Sequence, residues 1–428
     1  QYIYYNNGSD PGGARREQEE EPPMSEMSGA NNRDLKYKNR MLILKLIALN
    51  QPFSRISLAS CTGLSKMTIG NIVNQLIEED LVVEADPPDQ PARHCGRKPT
   101  LLQLSPRSPV LGGILLKRGY CQTVLADLGG QVLHRDSFSF QSGITRDGLL
   151  EQIAASFTGL RRQTDRPLKA IGVSSVGPVN TLSGTILNPP FFFGLSDIPI
   201  VQFIEQATGV PTYLINDANA GALAEKLYGH GRDVANFLYL HIMNGIGAGL
   251  ILDNRLYAGD TGQSGEIGHT SINFSGPKCV CGNAGCLELY ANLENMQDKI
   301  EKLSPFFADS PLAGRRPAWN EIVDAGNQQD RLAICVLDEF CQYVAYALIN
   351  TLNVLDISCI YVGYDASHHG TIIEDLLARH ISSHVLYADY QKITLCKSKF
   401  GGDAPLIGAI AFLADQIFNY DLAFFQDT

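Results

Sequence analysis

Residues 268–288 read GHTSINFSGPKCVCGNAGCLE and gather three of the chain's ten cysteines and one of its nine histidines into one glycine-studded loop. Cys279-x-Cys281-x4-Cys286, with His269 upstream, offers three thiolates and an imidazole, a donor set suited to tetrahedral zinc. Gly276, Gly282 and Gly285 let the loop turn tightly enough for the four to converge. Protein fills every position, so the spacing predicts a structural Zn2+ and not an open Lewis-acid site. Buried free cysteines or a redox pair are the alternatives. Cys335 and Cys341 sit in apolar contexts and read as core. Glu266 and Glu288 flank the loop on either side.

At 428 residues the chain exceeds one ordinary domain. Charge is uneven about a net of −11. Residues 31–104 carry ten Lys/Arg against seven Asp/Glu, a balance of about +3, on an otherwise acidic body. Residues 1–30 are acidic and rich in Gly and Pro, and read as a disordered extension. No apolar run reads as long enough for a bilayer, and no basic-then-apolar leader is seen, so no membrane association and a cytoplasmic location are expected.

The basic segment has a recognisable order. Apolar residues recur at helical spacing over 39–49. Ser54 fits the N-cap of a short helix through Cys61, Gly63 fits a tight turn, and Ser65 fits the N-cap of a second helix carrying Ile69, Ile72, Val73, Leu76 and Ile77 inward. LVVEA then reads as a strand, and PPDQPARHCGRKPTLLQL as a turn, a basic tip and a returning strand. Three helices and a two-stranded wing make a winged helix-turn-helix. Ser65, Lys66, Met67, Thr68, Gly70 and Asn71 open the recognition helix, and Arg97 and Lys98 form the wing tip that reaches backbone or minor groove. A helical hairpin serving protein contacts is the alternative.

From residue 105 short β-rich runs alternate with helical stretches, which predicts an α/β architecture with mixed sheets and two lobes around a cleft. In LINDANAGALAE, Asn216 and Asp217 end a strand, where ligands of α/β sheets gather. Asp217 there is either a general base or the cap of a helix beginning at Ala218. In NGIGAG, Gly245, Gly247 and Gly249 fit a loop approaching phosphate or another strand, or a tight hairpin.

SGEIGHTSINFSGPKCVCGNAGCLE, LINDANAGALAE and SSVGPVN together resemble the ROK family (repressors, open reading frames and sugar kinases). SRISLASCTGLSKMTIGNIVNQLIEEDLVVE and GRKP resemble the DNA-binding half of its repressor branch. The resemblance implies a two-lobed actin-like (ribonuclease-H-like, sugar-kinase-like) α/β domain preceded by an α+β winged helix-turn-helix. The expected partition is 1–30, 31–104, a small lobe at 105–215 joined by a C-terminal helix at about 405–420, and a large lobe with the zinc loop at 216–404. It implies sugar binding by Asn216, Asp217, Glu266, His269 and Glu288, with the His269 imidazole shared between zinc and sugar.

Family kinases carry an Asp-x-Gly-Gly-Thr phosphate loop where this chain has Leu115, Leu116 and Lys117. Their Gly-Thr-Gly loop is Met243, Asn244 and Gly245 here, and their Gly-Gly adenine motif is Gly363 and Tyr364. The expectation is a sugar-responsive repressor of operator DNA, a homodimer or dimer of dimers, with no catalytic residue and Asp217 at a vestigial base position. A sugar kinase, or a regulator with a vestigial cleft controlled by a protein partner, are the competing readings.

Overall fold

The computed structural model describes residues 32–50, 52–85, 100–243, 245–366, 370–382, 384–386 and 392–419. The expected disordered extension at 1–30 and the wing tip with Arg97 and Lys98 lie outside them.

The chain opens with helix α1 (Asn32–Leu49), strand β1 (Phe53–Ser54), α2 (Arg55–Thr62), α3 (Lys66–Glu78), β2 (Val82–Ala85) and β3 (Leu101–Leu104). The caps fall where the sequence places them. Ser54 accepts from the Ser57 amide, Gly63 ends α2 at φ 69°, and Ser65 accepts from the Thr68 amide. Met41, Leu44 and Ile47 of α1 are fully buried in one cluster with Leu58, Ile69, Val73 and Leu76. The sheet has three strands in the order β1-β3-β2, one more than the expected wing. A two-residue strand leaves no period-2 pattern to read.

Two larger sheets share one plan. The first contains β4 (Val110–Lys117), β5 (Tyr120–Ala126), β6 (Val132–Ser139), β7 (Leu168–Ser175) and β10 (Thr212–Asn216), in the order β10-β7-β4-β5-β6. Helix α4 (Arg146–Arg161), the short pair β8 (Val179–Asn180) and β9 (Thr185–Ile186), and α5 (Ile200–Thr208) connect them. After α6 (Asp217–Tyr228), the second contains β11 (Phe237–Ile242), β12 (Ile246–Leu252), β13 (Arg255–Leu256), β14 (Cys359–Tyr364) and β15 (Thr394–Lys397), in the order β13-β12-β11-β14-β15. In each sheet an antiparallel meander is followed by two parallel strands. This is the duplicated, two-lobed α/β fold that the resemblance implies, and no sequence repeat announces it.

Between β13 and β14 lie α7 (Leu293–Leu303), α8 (Trp319–Asn327) and α9 (Arg331–Leu355), with α10 (Ile372–Ser382) before β15. Helix α9 amends the expectation of no membrane-length apolar run: by length and composition it suffices, yet 61% of its most apolar window is buried. It is the spine of the second core, with Val336, Phe340, Val344 and Leu348 inward. Cys341 is buried there as expected, but Cys335 is exposed, because the helical period turns it away from the core.

The two sheets are joined through α6 and α11 (Ala404–Phe418). Helix α6 packs on β11 and β12, α11 packs on β4 and β7, and the helices face each other. Small residues allow this. A Cβ on Gly408 would lie 2.0 Å from the Ala220 carbonyl oxygen, and one on Gly249 would lie 2.4 Å from that of Ala218. Part of the alternating glycine pattern of NGIGAG therefore serves strand–helix contact.

The head does not stand apart. Its buried residues share one cluster with Leu223, Tyr228, Leu413 and Phe418 of the body. Arg232, just past α6, donates to the Leu49 carbonyl at 3.0 Å and to Asn50 Oδ1 at 2.6 Å, closing over the end of α1.

Gly408→Ala is expected to lower the melting temperature by several degrees, since overpacking costs about 1–3 kcal/mol and here the opposing atom is backbone. Gly159→Ala, on an exposed turn of α4 with nothing within 4 Å of the new Cβ, serves as control. Equal thermal denaturation curves for the two variants would contradict the close-approach account.

Candidate functional site

A cleft of about 520 Å³ opens between the lobes at the C-terminal ends of β4, β7, β10 and β11. Asn216, Asp217, Glu266, His269 and Glu288, scattered over 73 positions of sequence, all line it.

Asn216 closes β10 and caps α6: its Oδ1 accepts from the amides of Ala218 at 2.9 Å and Asn219 at 3.2 Å. The helix starts at Asp217, so the capping role entertained for Asp217 belongs to its neighbour. Both residue types cap well, which is why sequence alone did not separate them. Asp217 lines the cleft, its Oδ1 accepting from the Ala218 amide at 2.8 Å and its Oδ2 3.5 Å from His241 Nε2. Glu266 precedes the single helical turn Ile267–His269. Burial, reinforced by the charges of Asp217 and Glu288, pushes its pKa up to about 7, so it can donate as well as accept near neutrality. Glu288 accepts from the Ile246 amide through Oε1 at 2.8 Å, tying the start of β12 to the cysteine loop.

Three features escaped the sequence reading. Arg118, in the turn between β4 and β5, enters the cleft and stacks over the Phe191 ring at 5.4 Å. Burial lowers its pKa, and the carboxylates of Glu288 and Asp217 oppose that shift. Phe191 and Phe193 have φ near +57° and +56°, an uncommon region for bulky residues and one that concentrates at ligand clamps. Lys117 Nζ reaches across to Asp365 Oδ2 at 3.9 Å and the Gly402 carbonyl at 3.4 Å, joining the region of the expected first phosphate loop to the second lobe. The adjacent KR pair was the available signal; its partners were not, lying over 240 positions away.

Beside the cleft, His269, Cys279, Cys281 and Cys286 place their ligand atoms within 4.8 Å of one another. Cys281 and Cys286 sulfurs are 3.6 Å apart, and Cys279 Sγ is 3.7 Å from His269 Nδ1. Tetrahedral zinc, with bonds of roughly 2.0–2.3 Å, separates its ligands by about 3.5–3.8 Å, so the set fits a metal ion. Nδ1 faces the sulfurs, which leaves Nε2 as the imidazole's second hydrogen-bonding nitrogen. Burial pushes the Cys286 thiol up to about 12, a shift that a bound cation reverses by displacing the proton.

On the head, Ser65, Lys66, Met67 and Asn71 are exposed at the start of α3, and Met67 retains 76% of its surface. Thr68 is half-buried, its hydroxyl 2.9 Å from that of Ser65. Arg55 braces α3 against β2, reaching Asn74 and Glu84 at 2.9 Å each.

The ROK family profile matches residues 112–416. The xylose repressor of Bacillus spizizenii is 31% identical over 400 residues, which span 92% of this chain and 99% of that one. The DNA-binding transcriptional repressor Mlc of Escherichia coli is 26% identical over 91% of this chain and 95% of its own length. Among solved structures, a ROK family transcriptional regulator described as a homologue of the E. coli MLC protein superposes with a TM-score of 0.72 at 30% identity, covering 91% of this chain and 99% of that chain. A ROK hexokinase from Thermus thermophilus superposes with a TM-score of 0.58 at 26% identity, over 72% of this chain and 99% of its own. The chain belongs to the ROK family.

Elemental analysis of the purified protein is expected to return about one zinc per chain. Cys286→Ser should release the metal and lower thermal stability; a metal-free yet fully folded native protein would refute the cluster as a metal centre.

Proposed function

We propose that this ROK-family chain is a sugar-responsive transcriptional repressor: its winged helix binds operator DNA, and its cleft senses a sugar or sugar derivative without phosphorylating it. What supports the reading is that its likeness to named repressors extends over nine-tenths of the chain, while the cleft holds five polar groups suited to a polyol.

In this reading Asp217 and Glu288 accept from ligand hydroxyls, and charged acceptors give strong, directional contacts. Asn216 spends its oxygen on the helix and offers its amide hydrogens. Glu266, poised near neutrality, accepts from one hydroxyl or donates to another oxygen. His269 Nδ1, Cys279, Cys281 and Cys286 hold a structural zinc, and His269 Nε2 is left for the ligand. The metal supplies rigidity: it fixes His269 and, through the loop, Glu288.

Phosphoryl transfer depends on positioning phosphates and metal; what supports its absence here is that Leu115, Leu116 and Lys117 stand at the position of the expected first phosphate loop, with Lys117 turned toward Asp365. A kinase remains the second reading because Asp217 faces the cleft as a base would. On DNA, Ser65, Lys66, Met67 and Asn71 are presented to the major groove, with Thr68 behind them and Arg97 and Lys98 assigned to the wing. Two heads on a pseudo-palindromic operator make the working unit a homodimer or a dimer of dimers, acting in the cytoplasm. A sugar shifts the DNA-binding state only by its differential affinity for the two lobe arrangements.

A thermal-shift screen against sugars and their phosphates should find a stabilising ligand, worth about 2.7 kcal/mol at one hundred times its Kd. Glu266→Ala should abolish that shift. ATP and magnesium with the same sugar should give no product; turnover near ordinary kinase rates would favour the enzyme. On operator DNA, Asn71→Ala should change sequence preference by about 1–3 kcal/mol at one base pair, whereas Lys66→Ala should weaken all sequences alike and flatten the salt dependence. An unchanged operator choice for Asn71→Ala would displace α3 from the recognition role.

A further inference from the structure

His241 is a buried polar side chain that the reading above does not use. It is the penultimate residue of β11 and lines the cleft, only 5% exposed. Its Nε2 lies 3.5 Å from Asp217 Oδ2, and its Nδ1 has no hydrogen-bond partner among the described residues. Its ring stacks at 6.1 Å on that of Tyr239, two positions earlier on the same face of the strand.

The surroundings make room for this ring. In register beside His241 stand Gly247 on β12 and Gly363 on β14, both without side chains. A Cβ on Gly363 would lie 1.9 Å from the Tyr239 hydroxyl, so no larger residue fits there. An aliphatic residue would fill this notch without stranding a polar nitrogen, and a buried polar atom without a partner costs free energy. The imidazole is therefore retained for what it can bond.

We propose that His241 is a positioning residue for Asp217: carrying its proton on Nε2, it donates to Asp217 Oδ2, while Oδ1 accepts from the Ala218 amide at 2.8 Å, so the carboxylate is held at both oxygens and its remaining lone pairs take a ligand hydroxyl. This rests on the reading of the cleft as a sugar site and deepens it. The Asp217 carboxylate becomes a fixed hydroxyl receptor, each oxygen anchored once to the protein and keeping a lone pair for the ligand. A base needs the freedom to take up a proton and pass it on; an acceptor held from behind serves recognition. The 3.5 Å separation shortens once a ligand closes the site, as hydrogen bonds of unliganded clefts commonly do.

Two experiments test this. Isothermal titration with the sugar selected by thermal shift compares His241→Leu, His241→Gln and His241→Asn, each first checked for an unchanged melting temperature without ligand. Leu should weaken binding about tenfold or more, as loss of a hydrogen bond to a charged group does. Gln, whose amide reaches the Nε2 position, should restore most of the affinity; Asn, which reaches only Nδ1, should not. In an Asp217→Asn background His241→Leu should add nothing further, because the two act as one unit. Independent, multiplying effects, or wild-type affinity in His241→Leu, would overturn the proposal. The second experiment needs no sugar: nitrogen NMR of the imidazole should show a protonated Nε2 and a bare Nδ1, and the opposite tautomer would also overturn it. Absence of any sugar binder would remove the reading of the cleft, while the tautomer still decides the His241–Asp217 contact.

Discussion

The contact between α6 and α11 is the constraint from which the rest of the molecule follows. Two lobes built on the same strand plan meet through one helix each, and the helices approach until the Gly408 backbone touches the Ala220 carbonyl region. Each helix in turn lies flat on its own sheet, α6 on β11 and β12, α11 on β4 and β7. Glu225, fully buried in α6, binds the Ser398 hydroxyl at 2.6 Å and the Lys399 amide at 2.8 Å, fixing the chain that leads into α11. A buried carboxylate is tolerated only when it is this well satisfied. The cleft is then the space left where the two sheets diverge beyond the start of α6.

That origin explains why rigid elements present the cleft's polar groups on one side and a loop with a His/Cys cluster presents them on the other. Asn216 and Asp217 are presented by a strand end and a helix start, rigid by construction. Glu266, His269 and Glu288 come from an insertion with little regular structure: two single helical turns and isolated bridges Ser271–Cys286 and Lys278–Ala284. Such a loop has little regular structure to hold it, and His269, Cys279, Cys281 and Cys286 converge within it as a set that could hold a metal ion. Burial, reinforced by the neighbouring charges of Asp217 and Glu288, pushes the Glu266 pKa up to about 7.

Much of this was legible in the sequence, and the boundary has a physical cause. The cysteine loop could be read because its donors lie within eighteen positions and thiolates have few other uses in such density. The helix-turn-helix could be read because Ser54, Gly63 and Ser65 act on neighbours two or three residues away. The partners of Lys117, Arg118 and His241 are a different matter. Asp365, Phe191 and Asp217 reach them only after the sheets and their connecting loops form, and nothing in the flanking residues encodes that. Asn216 and Asp217 exchanged roles because a cap one residue earlier leaves the same pattern. NGIGAG was ambiguous because glycine is chosen for what approaches it, and the approaching atoms belong to α6 at Gly247 and Gly249 and to Glu288 at Gly245.

Helix α6 also has a far end. Its first turn forms the floor beneath Asn216 and Asp217; its last residue, Tyr228, is buried against the head's cluster, and Arg232 just beyond grips the carbonyl that ends α1. Twelve residues of helix span about 18 Å, so the chamber and the reading head are mounted on opposite tips of a single stiff rod. A head tethered by a floppy cord would swing regardless of what the chamber holds; one bolted to the rod inherits every tilt of it. Parting the two would lay bare apolar surface on both, which makes head and body one mechanical piece.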